Sequence, residues 1–216
     1  PWVGLKHFIN FFTGIYFWRL LRNTVLISLY QLIFGFPAPI LLALLLNEVR
    51  HKFFQKSVQT ITYLPHFISL VVVCGMIKDF SMSRGVLNDL IVFFGGQRAS
   101  LLQAPALFRS IYTISGIWQE IGWGSIIYLA TLSGIDQELY EAASIDGAGR
   151  FKQVLHVTMP GLMPTIIILL ILRMGRMLSV GFEKIILLYN PATFETADVI
   201  STRSEERRVG KECRYR

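Results

Sequence analysis

Charge and cysteine are both scarce in this 216-residue sequence. Asp, Glu, Lys and Arg together make up 16% of it, against roughly a quarter in soluble domains. A soluble globule must cover its surface with polar groups, so the shortage argues against one. Cys74 lies in an apolar run and Cys213 in a polar tail. They form no disulfide framework, and no Cys/His spacing fits zinc. The GxxxxGK(S/T) phosphate loop is missing, so ATP hydrolysis by that route is excluded. HExxH, a CxxC pair and GxSxG are missing too, and His7, His51, His66 and His156 are scattered. No catalytic residue and no metal site are expected.

Net charge is +7. The last fourteen residues, RSEERRVGKECRYR, carry six basic and three acidic side chains and so account for +3 of it. No basic stripe with interleaved aromatics remains, which sets nucleic acid aside. The tail, residues 203–216, breaks abruptly with what precedes it and reads as read-through or appended sequence, the alternative being a native tail. The chain opens on Pro1 rather than Met, and the expectation is a piece of a longer protein. Residues 1–202 are taken as one membrane domain.

What is abundant is apolar sequence: 53% of the residues, with mean hydropathy +0.50. A hydrocarbon core of about 30 Å needs about 20 mostly apolar residues in a helix. Four stretches meet that need: 24–46 without a charge, 58–77 interrupted only by His66, 111–132 with Glu120 as its one charge, and 164–188. The expected class is all-α, a polytopic transmembrane helical bundle with four spans. Pro37, Pro39 and Pro65 mark kinks within the first two. Sequence leaves open whether these are ordinary kinks or moving hinges. Aromatic clusters in residues 1–22 fit an interfacial helix. The stretch 78–110 reads as a long Gly-rich loop with turns at Gly85, Gly95, Gly96 and Pro105. Lys and Arg counts orient the chain only through the short cluster at 47–57, which leans toward the cytoplasmic side.

The loop 134–163, GIDQELYEAASIDGAGRFKQVLHVTMPGLM, has a pattern of its own. Asp136 is placed to cap a helix whose first turns hold Glu138 and Glu141, where the helix dipole favours acids. Gly147 is placed to end it. A second short helix runs from about 149 to 157, with Phe151, Val154 and Leu155 on one face. Pro160 and Pro164 are expected to stop it and lead into the next span. The result is a helix–turn–helix elbow too polar to enter the membrane. Its spacing fits two roles equally, docking a partner protein or lying flat on lipid headgroups.

Arg173, Arg176, Glu183 and Lys184 fall in the fourth stretch. Ionisable groups inside a membrane are costly unless they face a cavity. Arg173 and Arg176 are therefore candidates for a substrate path, with Glu120 as a further one. Glu183 and Lys184 invite the same reading, the favoured alternative for them being that they snorkel at the outer interface.

The string EAASIDGAG, followed by Phe151 and running on to Met159-Pro160, resembles the EAA signature of ABC importer permeases. The likeness extends over roughly residues 4–202, through TYLPHFIS, IWQEIGWGSIIYLATLSGID and VGFEKIILLYNPATFETADVIST. It is similar to the carbohydrate-uptake branch, the LplB-type polysaccharide and aldouronate permeases. The resemblance implies a type I importer fold of six spans, so that the first and last would lie outside this chain. It implies that the elbow is the cytoplasmic coupling helix seated in the ATP-hydrolysing subunit, through Glu141, Ala142, Ala143, Asp146, Gly147, Ala148, Phe151 and Pro160. It implies a transport subunit rather than an enzyme, multi-pass in a bacterial inner membrane. The implied partners are ABC ATPase subunits, a second permease, an extracytoplasmic solute-binding protein and the lipid bilayer. The chain would bind no cofactor, ATP being used by the ATPase partners. Arg173 and Arg176 depart from the pattern, standing where the resemblance implies small or polar residues. The alternatives are a permease for amino acids or peptides and an intramembrane enzyme. Clustered intramembrane His, Asp or Glu would favour the enzyme, and the sequence lacks such a cluster.

Overall fold

The computed structural model describes residues 4, 12–14, 16–177 and 181–202. The tail at 203–216 and most of the aromatic N-terminal segment lie outside the described residues. Among those described, every regular element is helical. The all-α expectation holds.

In chain order, α1 (Phe17–Tyr30) passes through a wide turn at Gln31–Gly35 into α2 (Pro37–Glu48). Next come α3 (Lys52–Tyr63), a tight turn at Leu64–Phe67, α4 (Leu70–Ser81) and α5 (Val86–Phe93). The long α6 (Pro105–Ser133) leads to α7 (Gln137–Ile145) and α8 (Arg150–Gln153), then a second wide turn at Val154–Thr158 and α9 (Met159–Gly175). α10 (Phe182–Leu188) and α11 (Phe194–Ala197) follow.

Two helical runs are long and apolar enough to cross a bilayer, Phe17–Glu48 with 32 residues and Arg150–Gly175 with 26. A third exists if Lys52–Phe67 and Leu70–Phe93, bent by 101°, count together. The expected single rod at 58–77 is thus broken between Phe67 and Leu70. Pro65 has no N–H to donate, and Ile68 and Ser69 are extended where the axis turns. The 29 residues of α6 give it ample length, about 44 Å at 1.5 Å per residue. Gln119, Glu120 and its serines and threonines make it less apolar than the other two runs.

The fourth expected span is displaced toward the N-terminus. It ends at Gly175 instead of 188, and it runs through Pro160 and Pro164 where a stop was expected. A proline ring collides with the carbonyl four residues back, and the missing N–H leaves that carbonyl unpaired. The π-type turn at Val154–Thr158 lies over the carbonyl that Pro160 would strike, and its extra residue per turn makes room. The same device at Gln31–Gly35 precedes Pro37 and Pro39. Pro37, Pro39 and Pro160 sit in continuous helices for this reason, while Pro164 lies one turn further on, inside α9. The expected long loop at 78–110 is largely ordered as well. It contains α5, and Pro105 is the first residue of α6, where a missing N–H does no harm.

The chain divides into two compact units. The first comprises Pro1–Gln31, Ser69–Ser115 and Met177–Arg216. Its core gathers Ile27, Cys74, Phe108, Tyr112, Ile185, Leu188, Ala197 and Val199. A buried polar network clamps the C-terminal segment to α1. Asn23 donates to the carbonyls of Glu195 (2.9 Å) and Asp198 (3.0 Å), and Arg109 donates to Asn23 Oδ1 at 2.8 Å. Arg19 pairs with Asp198 at 3.2 Å, and Thr202 donates to Asp198 Oδ1 at 2.7 Å. Lys184, expected to snorkel, is buried in this unit instead. Its ammonium lies 5.1 Å from the Tyr112 ring centre and within 3.4 Å of the Tyr112 carbonyl.

The second unit comprises Leu32–Ile68 and Gly116–Arg176. Ile40 and Ala43 of α2 pack with Tyr128 and Leu132 of α6 and Leu162 of α9. Small residues let backbones approach: a Cβ at Gly122 would lie 2.1 Å from the Thr62 carbonyl oxygen, and one at Gly124 would lie 3.0 Å from Pro39.

Candidate functional site

The elbow at 137–158 lies within the second unit. Its first helix and corner keep the expected form, whereas the short helix expected at 149–157 is not separate but opens the unbroken run Arg150–Gly175. Asp136 caps α7, its carboxylate accepting the Glu138 amide at 3.0 Å. At the other end Gly147 takes φ +76°. The Gly147 amide donates to the Ser144 carbonyl at 3.1 Å and the Ala148 amide to the Ala143 carbonyl at 2.9 Å. That pair of bonds around a left-handed glycine is a Schellman cap, which pairs the last carbonyls and turns the chain sharply. The Gln153 side chain then ties α8 to the corner by donating to the Ala148 carbonyl at 3.0 Å. Tyr140 and Thr158 hydroxyls meet at 3.0 Å, closing α7 against the wide turn. The hydroxyl and amide links give no periodic signal in sequence; the two caps do.

The structure brings Glu141, Ala142, Ala143, Asp146, Gly147 and Ala148 into one helix end and its turn, with Phe151 in the helix that follows. Glu141, Ala142, Asp146, Gly147, Phe151 and Pro160 are exposed, whereas Ala143 and Ala148 are half-buried. Pro160 stands apart from the rest, in the first turn of α9. The tip is apolar: Ile145 is 87% exposed and Phe151 81%, with Leu139 and Leu155 exposed beside them. Such a patch on an otherwise polar elbow is a surface built to be covered. Removing the cap by Asp136→Ala should cost about 1 kcal/mol locally. The α7 amides should then exchange hydrogen roughly fivefold faster, read by mass spectrometry, with α9 unchanged.

The path candidates fall in two places. Arg173 lies in the last turn of α9, and Arg176 caps it, both exposed. They sit at the end of the apolar run remote from the elbow rather than mid-span, and cations there suit the helix dipole. Glu120 joins a group that scattered sequence positions did not reveal. Its carboxylate is 3.2 Å from His66 Nδ1, and the His66 ring stacks on Trp123 at 4.5 Å between centroids with 1° between planes. Phe67 meets Trp123 edge-on at 5.8 Å. His66 and Phe67 occupy the break between α3 and α4, which places an acid, an imidazole and an exposed indole at the bend. Among the described residues, no group of three or more His, Cys, Asp or Glu is arranged to hold a metal.

Comparison with known proteins agrees with this architecture. The chain is 48% identical over 202 residues to the polygalacturonan/rhamnogalacturonan transport system permease protein YteP of Bacillus subtilis (strain 168), covering 93% of this chain and 63% of that protein. It is 45% identical over 202 residues to LplB of the same organism, covering 93% of this chain and 64% of LplB. The chain therefore spans less than two thirds of the length of these relatives. Among solved structures, a subunit of a bacterial ABC transporter involved in import of the acidic polysaccharide alginate superposes with TM-score 0.90 and 50% identity, over 94% of this chain and 71% of that one. The resemblance to LplB-type permeases read from the sequence is borne out. Residues 35–182, well over half of the sequence, match one family description, and the chain belongs to that family, the binding-protein-dependent transport system inner membrane components.

Proposed function

We propose that this chain is the membrane-spanning permease subunit of an ATP-driven importer of saccharides, multi-pass in a bacterial inner membrane. The observation that carries the reading is the capped elbow with its exposed Ile145 and Phe151, which continues directly into a membrane-length helix through an unbroken run from Arg150 to Gly175. A push on the elbow is transmitted along that rod. ATP is bound and hydrolysed by partner ATPase subunits, and the chain itself holds no cofactor. Closure of the ATPase dimer moves the elbow and biases the helical bundle between two access states. A second permease subunit and an extracytoplasmic solute-binding protein complete the assembly. Support for the latter comes from the alginate transporter, also solved in complex with an alginate pentasaccharide-bound periplasmic protein.

The cargo we assign is an oligosaccharide carrying carboxylates, in keeping with the polysaccharides named for YteP and the alginate transporter. Arg173 and Arg176 at the outer end of α9 offer cations to uronate groups. At the bend, Trp123 offers a flat face to a sugar ring, while Glu120 positions His66. Cells expressing the full transporter should take up labelled oligogalacturonides in preference to neutral malto-oligosaccharides and peptides. Arg173→Leu should lower that uptake about tenfold, as expected for loss of one charge-assisted hydrogen bond. Uptake of peptides in place of saccharides would overturn the cargo assignment, and unchanged uptake in Arg173→Leu would remove that arginine from the path.

Phe151→Ser separates docking from folding. The side chain is already exposed, so the melting temperature should stay within about 2 °C. Truncating an aromatic anchor in a filled pocket costs about 2 kcal/mol or more. Recovery of the ATPase on co-purification should therefore fall at least roughly tenfold.

A further inference from the structure

The end of the second unit that carries the elbow has another unusual surface. Ala43 in the C-terminal half of α2 packs with the C-terminal end of α6 at Tyr128 and Leu132. The chain reverses after Glu48, and the first turn of α3 is tied back by Gln55, which donates to the Leu46 carbonyl at 3.1 Å. Both helices therefore meet at the end from which the elbow leaves α6. Gly122 lies against Thr62, and ten residues from either position cover about 15 Å. Gly122 lies near the middle of α6, so on the membrane reading the start of α3, half a hydrocarbon core away, falls at headgroup depth.

There Arg50, His51, Lys52 and Lys56 are all exposed, and no ion pair among the described residues engages them. Lys52 and Lys56 are one turn apart on the same face. Glu48 is the nearest acid in sequence. The first turn of α3 has no acidic residue, and His51 makes no side-chain cap. Basic side chains at that position work against the helix dipole unless an anion offsets them. Between them stand Phe53, 87% exposed, and Phe54, 58% exposed. A soluble anion would satisfy the cations but leave two phenyl rings in water. An anionic phospholipid serves both, with its phosphate on the cations and its acyl chains against the rings.

We infer that residues 50–56 form a binding surface for anionic phospholipid headgroups in the leaflet on the elbow side. The inference rests on the membrane reading of the chain, but its test does not depend on transport. The full-length protein, with its own cysteines and the elbow intact, is placed in nanodiscs as a Phe53→Trp variant. Quenching of its added fluorescence is compared between brominated phosphatidylglycerol and brominated phosphatidylcholine at equal mole fraction. Phosphatidylglycerol should quench at least roughly threefold more strongly. The combined change Arg50→Gln, Lys52→Gln and Lys56→Gln should abolish that preference, and Lys52→Arg should keep it. Millimolar inorganic phosphate should not reduce it. Equal quenching by the two lipids, a preference surviving the triple change, or displacement by free phosphate would overturn the proposal. Failure of sugar uptake in cells would touch the transport reading alone.

Discussion

Gly147→Val is expected to uncouple the protein while leaving it in the membrane. Gly147 holds φ +76°, and nothing lies within 4 Å of where a Cβ would be. The penalty is therefore one of backbone conformation, not of collision. A left-handed residue costs roughly 1–2 kcal/mol for an ordinary side chain and more for a β-branched one. Relaxation would forfeit the two Schellman bonds at Ser144 and Ala143 and swing α8 away from α7. The elbow is a short segment held by a handful of hydrogen bonds, so this cost falls on a local equilibrium rather than on the whole bundle. ATPase recovery on co-purification should drop at least roughly tenfold, with saccharide uptake following it. Gly147→Asn, which tolerates the left-handed region, should retain most of both. Equal loss in Asn and Val variants would show that the glycine serves something other than this turn.

Gly122→Ala should produce the largest loss of stability. Its Cβ would lie 2.1 Å from the Thr62 carbonyl oxygen and 2.4 Å from the Thr62 carbonyl carbon, with Tyr63 Cδ1 at 2.9 Å. Two of these atoms are backbone and cannot swing aside, so α3 and α6 must separate. Overpacking of this kind costs about 3 kcal/mol, and separating the helices also disturbs the bend where His66 meets Glu120. The detergent-solubilised protein should melt about 5 °C or more lower, given the usual relation of free energy to melting temperature at this size. Gly75→Ala is the control, because nothing lies within 4 Å of its Cβ position inside α4. It should be neutral or slightly stabilising, by up to about 1 kcal/mol. A melting temperature equally lowered by both substitutions would remove the special role of the Gly122 contact.

The parts of this structure that could be read from sequence are those fixed by neighbours along the chain. Asp136 and Gly147 act within one turn of their own position, so their capping roles follow from local chemistry, and the structure places both as expected. Long uncharged runs announce a membrane helix for the same reason. Pro160 and Pro164 were harder, since a proline stops a helix only if no neighbouring turn widens to receive it. The wide turn at Val154–Thr158 has no residue signature beyond Pro160, the proline it serves. The 101° break after Phe67 shows the opposite outcome of a similar cue at Pro65. Long-range pairing was invisible altogether. Asn23 and Asp198 are 175 positions apart, and no periodicity links them. Lys184 reads as a snorkelling residue until the Tyr112 ring and carbonyl are found around its ammonium. Glu120, His66 and Trp123 likewise become one group only once α3 and α6 pack through Gly122.

On the proposed reading, the elbow is reachable from the compartment where ATP is hydrolysed and is covered when the ATPase binds. Cysteine placed at Ile145, in a full-length background with Cys74→Ala and Cys213→Ser, reports both through a membrane-impermeant maleimide. Labelling is predicted in inside-out vesicles and not in right-side-out ones, falling at least roughly fivefold when the cognate ATPase is added. Labelling from the outer face, or undiminished labelling in the presence of the ATPase, would contradict the account.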